Sequence, residues 1–163
     1  ECKGRVVLAH ARLAILDTSS AGTQPFTDAS GRYTIIYNGE FYNYRDYYAE
    51  LRADGVNFTS SSDTEVLLYL YIKYRQGCLV KINGFFAFAV YDSVENTLFV
   101  ARDRMGIKPL YFIQTEQFFG FSSELKGILE FPFERKLNNN ALFAYLQFMY
   151  VPAPMTMVQG VSS

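Results

Sequence analysis

The sequence predicts an α+β fold, a layered sandwich in which two antiparallel sheets pack together with helices outside. Three observations carry this. Runs of β-formers cluster near the start and again in the middle of the 163-residue chain. Stretches with helical spacing follow each cluster. The chain holds 15 Phe and 13 Tyr but no Trp, and half its residues are hydrophobic, which supplies large flat side chains for packing between layers.

The elements follow in order. Arg5 to Asp17 is almost all strand-formers, one bent strand or two with a break near His10-Ala11-Arg12. Thr18 to Pro25 is small, polar and proline-terminated, a loop. Asp28-Ala29-Ser30-Gly31 is a turn into a strand at Arg32–Ile36. After Tyr44 a helix runs to about Ala53, with Gly55 as the residue that ends it. Ser62-Asp63-Thr64-Glu65 has the form of a capping box, and the helix behind it, through Val66, Leu67, Leu70 and Tyr74, closes at Gly77. Phe85 to Tyr91 is a continuous apolar run, as in a strand covered on both faces. With Thr97–Ala101, Leu110–Ile113 and Phe118–Phe121 it reads as a four-stranded meander with short connections. Ser122 or Ser123 caps a short helix over Glu124–Leu129, and Asn138-Asn139-Asn140 precedes a last helix over Ala141–Met149. Tyr150-Val151-Pro152-Ala153-Pro154 cannot be helix interior and reads as an exit into another domain.

Bulk properties exclude several function classes. A net charge of −1 leaves no electrostatic footprint for nucleic acid or an anionic membrane. No apolar run approaches the ~18 residues that span a bilayer, and no signal-peptide pattern opens the chain. Two cysteines, Cys2 and Cys78, are too few for a disulfide framework, and a single His argues against most metal sites. The expectation is a cytoplasmic domain that handles a small molecule or a partner protein. The chain has no initiator Met and stops without a capped element, so it reads as a piece of a longer polypeptide.

Tyr37-Asn38-Gly39-Glu40 reads as the place where a strand stops and a helix is about to begin. Such a place can present an Asn amide and an unobstructed backbone N–H to a ligand, the two donors a tetrahedral oxyanion needs. The alternative is a hairpin turn, for which Asn-Gly is the commonest pair. An α-amino-acid ligand would further require a guanidinium for its carboxylate and a carboxylate for its ammonium. Arg12, Glu40 and Asp63 offer those groups. A surface ion pair accounts equally for Arg12, and stabilisation of a helix dipole for Asp63.

Several motifs together resemble the glutaminase domain of class II glutamine amidotransferases. They are Ala9-His10-Ala11-Arg12-Leu13-Ala14-Ile15, Tyr37-Asn38-Gly39-Glu40-Phe41-Tyr42-Asn43, Ser62-Asp63-Thr64-Glu65, Asn83-Gly84-Phe85-Phe86-Ala87-Phe88-Ala89 and the run from Ala101 to Tyr111. Ala144-Tyr145-Leu146, Tyr150 to Pro154 and Gln159-Gly160-Val161 look like the junction to the synthetase domain of glutamine-hydrolysing asparagine synthetases. The resemblance covers essentially the whole chain. It implies a four-layer αββα sandwich of the N-terminal-nucleophile hydrolase type. It implies a glutaminase domain over 1–149, incomplete at its N-terminus, and a linker over 150–163 to a synthetase domain.

In that family an N-terminal Cys thiolate attacks the glutamine side-chain amide, with its own α-amino group as base. Ammonia leaves through an internal channel and water releases glutamate. By residue-level match the resemblance implies that Arg12 holds the glutamine carboxylate and that the backbone up to Leu16 lines the site. It implies further that Asn38 and Gly39 form the oxyanion hole and that Glu40 and Asp63 bind the α-ammonium. No cofactor is implied for this domain, and ATP and Mg²⁺ are expected in the synthetase domain. The partners implied are glutamine, that domain and a homo-oligomeric copy.

The chain departs from the family at one point. The family's nucleophilic Cys precedes the His-x-Arg-Leu motif by several tens of residues, whereas Cys2 lies ten residues before Arg12 and is followed by Lys3. Cys2 and Cys78 are therefore read as structural, and the chain alone is expected not to hydrolyse glutamine. Two alternatives stand beside asparagine synthesis from aspartate: an amidotransferase for another acceptor, and a non-catalytic pseudo-amidotransferase that binds or scaffolds.

Overall fold

The computed structural model describes residues 6–11 and 22–163. The chain divides into two compact units, Glu1–Ile107 and Lys108–Ser163. The class is the expected one: two antiparallel sheets with helices, an α+β fold.

The first unit is built on a four-stranded antiparallel sheet in the order β1 (Phe26–Thr27), β2 (Tyr33–Phe41), β3 (Gly84–Asp92), β4 (Thr97–Arg102). The turn expected at Asp28–Gly31 joins β1 to β2. Gly31 adopts a left-handed φ of 73° there, and the Asp28 carboxylate accepts from the Tyr33 N–H at 2.7 Å. Along β2 the side chains alternate, Tyr33, Ile35 and Tyr37 being buried while Thr34 and Ile36 are half-buried. In β3 the run from Phe86 to Val90 is buried on both faces, as its unbroken apolar sequence predicts.

A 3₁₀ turn over Tyr44–Tyr47 and the helix α1 (Tyr48–Ala53) follow β2, ending at Gly55 with φ 91°. Helix α2 (Asp63–Tyr74) then lays Val66, Leu67 and Leu70 into a core shared with Ile35, Leu51 and Phe88. Each such side chain, taken wholly out of water, contributes about 1.5–3 kcal/mol. The capping box is half realised. Ser62 Oγ accepts from the Thr64 N–H at 3.1 Å, but Glu65 turns away from the cap. Glu65 is 1% exposed and accepts instead from the backbone N–H of Thr59 at 2.9 Å and of Ser60 at 2.7 Å, and from both their hydroxyls. The helix ends at Arg75, with φ 51°, rather than at Gly77, and a 3₁₀ stretch over Arg75–Val80 follows.

The expected four-stranded meander is two separate pairings. β3 and β4 belong to the first sheet, and β5 (Tyr111–Gln114) and β6 (Phe119–Ser122) to a three-stranded sheet of the second unit, in the order β6-β5-β7. The cause lies at Asp103, whose buried carboxylate accepts from the N–H groups of Phe86, Met105 and Ile107. Arg102 donates to the Gly106 carbonyl at 2.7 Å. The segment is thus knotted into its own turn and does not lead β4 directly back into a neighbouring strand. The third strand, β7 (Val161–Ser162), lies within the stretch expected as a linker and pairs with Phe112 and Ile113.

The second unit also carries α3 (Leu125–Ile128) and α4 (Asn139–Phe148). Asn138 caps α4, its side chain accepting from the N–H groups of Asn140 and Ala141. On and just after α4, Phe143, Leu146, Met149 and Tyr150 are exposed. Of the strand expected over Arg5–Asp17, residues 6–11 form no regular element and the others lie outside the described residues. No helix among the described residues is long and apolar enough to cross a membrane.

Candidate active site

Asn38-Gly39 is neither a hairpin turn nor a strand end. Both residues are inside β2, Asn38 opposite Ala87 and Gly39 opposite Phe86, and the strand runs on to Phe41. The glycine serves close approach rather than a left-handed backbone. A side-chain carbon built on it would stand 2.2 Å from the Phe85 carbonyl oxygen and 2.8 Å from both Phe86 Cα and Tyr37 Cε2.

The ladder fixes where each N–H of this segment points. Tyr42 N–H donates to the Asn83 carbonyl at 2.8 Å, just past the end of the β2–β3 register. Antiparallel pairs alternate between hydrogen-bonded and open. Asn38–Ala87 and Glu40–Phe85 are therefore hydrogen-bonded pairs, and Tyr37–Phe88, Gly39–Phe86 and Phe41–Gly84 are open ones. In the open pairs the β2 N–H groups face away from β3, toward the side on which β1 lies.

Two of those three N–H groups are held by side chains. Tyr37 N–H donates to Gln24 Oε1 at 2.6 Å, while Gln24 Nε2 donates back to the Tyr37 carbonyl at 3.0 Å. Gln24 thus extends the β1 pairing with its side chain, since continuing the β1–β2 register places it opposite Tyr37. Phe41 N–H donates to Asp63 Oδ2 at 3.1 Å. Between them the Gly39 N–H faces the same way, and among the described residues no loop carbonyl or side chain accepts from it. A backbone N–H left open in this way can donate to an oxygen that gains negative charge.

Asp63 is the first residue of α2 and is buried, at 6% exposure. Burial pushes its carboxyl above the ordinary carboxylate range, an effect partly offset by the Phe41 N–H, the neighbouring Tyr37 hydroxyl and the first amides of its own helix. Tyr37 is pushed strongly upward as well, chiefly by burial, then by the Asp63 carboxylate, through its charge and as an acceptor within reach of the Tyr37 hydroxyl, and then by the charge of Glu40. Asp63 thus meets the β2 backbone at Phe41, whereas the Asn38 and Glu40 side chains share the face opposite Tyr37 and Phe41.

Arg12 and Leu16 lie outside the described residues, as does Cys2. Cys78 is wholly buried, and burial pushes its thiol up to about 12, so it is no nucleophile at neutral pH. Among the described residues no group of three or more His, Cys, Asp or Glu is placed to hold a metal ion. Sequence alone assigns no role to the side chains of Gln24 and Tyr37. Nothing in its Thr-Gln-Pro context distinguishes Gln24 from an ordinary loop residue, and Tyr37 passes for one more aromatic of a β-strand.

The pattern of the family described as glutamine amidotransferase domain matches residues 1–163, the entire chain. The chain belongs to the glutamine amidotransferase domain family. Asparagine synthetase [glutamine-hydrolyzing] 3 of Bacillus subtilis is 49% identical over 129 residues, covering 78% of this chain and 21% of that protein. Asparagine synthetase [glutamine-hydrolyzing] 1 of the same organism is 39% identical over 146 residues, covering 90% of this chain and 23% of that protein. The chain thus spans under a quarter of the length of these two relatives. Among solved structures, the glutamine phosphoribosylpyrophosphate amidotransferase of B. subtilis, complexed with ADP and GMP, superposes with a TM-score of 0.60 at 26% identity. That match covers 73% of this chain and 28% of the other. It agrees with the N-terminal-nucleophile hydrolase type expected from the sequence.

Proposed function

We propose that this domain binds L-glutamine at the β2 segment 37–41 and that, in the whole protein, an N-terminal Cys nucleophile that neither Cys2 nor Cys78 supplies releases ammonia from the side-chain amide for an ATP-dependent synthetase domain that makes asparagine from aspartate. The observation that carries the reading is the Gly39 N–H, pointing off the β2 edge between the Gln24 and Asp63 side chains. When a nucleophile adds to the amide carbon, the carbonyl oxygen becomes an oxyanion, and the Gly39 N–H and Asn38 amide donate to it. Asp63 and Glu40 take the α-ammonium, and Arg12 the α-carboxylate, with the backbone up to Leu16 lining the pocket. The domain itself needs no cofactor for this chemistry. ATP and Mg²⁺ belong to the synthetase domain, to which residues 150–163 lead from the glutaminase domain of 1–149. The exposed Phe143, Leu146, Met149 and Tyr150 suit a surface that other parts of a multidomain, self-associating protein cover.

The test is glutaminase kinetics on the whole protein with Asp63→Asn and Asn38→Ala. The first raises the KM for L-glutamine, and the second lowers kcat with KM little changed. If neither variant alters ammonia release from glutamine, the pocket is elsewhere. Replacing aspartate by other carboxylate acceptors in the same assay, with product identified by mass, tests the synthetase assignment separately.

A further inference from the structure

Tyr37 is more than a filler of the core. Its side chain is 4% exposed, yet its hydroxyl has no hydrogen-bond partner among the described residues. A buried hydroxyl without a partner costs folding free energy that Phe at the same position would not. Its surroundings are the candidate site on every count. The ring edge lies against Gly39, and Gln24, which clamps the Tyr37 backbone, also donates to Thr64 Oγ1 at 3.3 Å. The start of α2 with Asp63 thus lies against this part of β2, where the Tyr37 hydroxyl and the Asp63 carboxylate act on one another without a bond of ordinary geometry. Asp63 meanwhile has a bond from the Phe41 N–H on Oδ2 and capacity for further donors. An unsatisfied donor is thus parked next to the carboxylate assigned to the substrate ammonium.

We propose that Tyr37 is a positioning residue of the glutamine pocket. When the ammonium docks on Asp63, the Tyr37 hydroxyl donates to the Asp63 carboxylate and holds it in the binding orientation. The hydroxyl left unpartnered in the free domain is then satisfied only in the complex. This inference rests on the reading of Asp63 as the ammonium site.

The experiment is steady-state glutamine hydrolysis by the whole protein carrying Tyr37→Phe, Asp63→Asn or both, with a thermal melt of each. Tyr37→Phe is expected to raise the KM for L-glutamine about tenfold, the effect of one hydrogen bond to a charged group, with kcat within about twofold. Its Tm is expected to equal or exceed that of the wild type, because the hydroxyl removed has no structural bond. The double variant is expected to lose no more than Asp63→Asn alone, since Tyr37 acts through Asp63.

An unchanged KM overturns the inference, and so does a loss confined to kcat or a double variant in which the losses multiply. A Tyr37→Phe protein that melts well below wild type overturns it too, because the hydroxyl would then be a structural donor. If Asp63→Asn also leaves KM unchanged, the ammonium-site reading falls with it. If only Asp63→Asn raises KM, that reading stands and the role of Tyr37 alone is refuted.

Discussion

Gly39→Ala is the sharpest perturbation of the strand that carries the candidate site. The added methyl would meet the Phe85 carbonyl oxygen at 2.2 Å and Phe86 Cα at 2.8 Å. Both are backbone atoms of β3, which β4 holds from the far side through Ala87–Arg102 and Phe88–Ala101. The third neighbour, Tyr37 Cε2 at 2.8 Å, belongs to a buried ring that has little room to turn. Overpacking by one methyl in a well-packed interior costs about 1–3 kcal/mol, and contacts this short with backbone put the cost near the upper end. At about 2–4 °C per kcal/mol for a chain of this size, Tm falls by about 6–12 °C. Gly31→Ala is the control. Its φ of 73° strains an alanine by about 1–2 kcal/mol, but the added carbon meets nothing within 4 Å. The assay is paired thermal and urea denaturation of both variants. If Gly39→Ala melts within about 2 °C of wild type, or costs less than Gly31→Ala, the close-approach account of Gly39 is wrong.

Four further outcomes follow from the same geometry. Asn38→Ala in the whole protein is expected to lower kcat for glutamine hydrolysis by about 10²–10³-fold, read in a coupled ammonia assay. Asp63→Asn is expected to weaken glutamine binding while leaving Tm at pH 7 unchanged or higher. Burial raises the Asp63 pKa above its unfolded value, so its ionised form is disfavoured in the fold, a cost present above the folded pKa and relieved as pH falls through it. Glutamine affinity runs the other way, weakening as pH falls through that raised pKa, and calorimetric titrations across pH check both signs. Asp92 is the opposite case. The Arg32 guanidinium, donating to it at 2.8 and 2.7 Å, holds its carboxyl well below the usual range. That contribution is present above the unfolded carboxylate pKa near 4 and is lost as pH falls toward the depressed folded value, so Asp92→Asn should flatten the acid limb of a stability–pH curve. Cys78, wholly buried with its thiol pushed up to about 12, should react with a thiol reagent in urea and not in native buffer.

The sequence made local features legible and non-local ones much less so. The Ser62 cap, the turn at Gly31, the end of α1 at Gly55 and the two-faced burial of β3 all follow from neighbours in the chain, and all are present. Asn38-Gly39 misled because that pair signals a turn when judged by backbone freedom. Its glycine answers instead to Phe85 and Phe86, more than forty residues away. The meander failed for a similar reason: Asp103 spends its carboxylate on Phe86, Met105 and Ile107, a convergence that spacing alone does not announce. Gln24 was illegible altogether, since only the folded register brings its carboxamide opposite Tyr37. Of the candidate site, Asp63 was placed by its helix cap and Asn38, Gly39 and Glu40 by motif. What the fold adds is the bond from the Phe41 N–H to Asp63, which ties the start of α2 to β2.

The central claim is that the Gly39 N–H belongs to a glutamine site. The most direct measurement is an NMR titration of protein labelled with carbonyl-¹³C Asn and ¹⁵N Gly, which selects Asn–Gly pairs. This chain holds two, Asn38-Gly39 and Asn83-Gly84, and Gly39→Ala assigns the first. Adding L-glutamine is expected to move the Gly39 amide saturably, more than the Gly84 amide, and to lose that effect with Asp63→Asn. A Gly39 resonance that stays still while glutamine demonstrably binds would contradict the account.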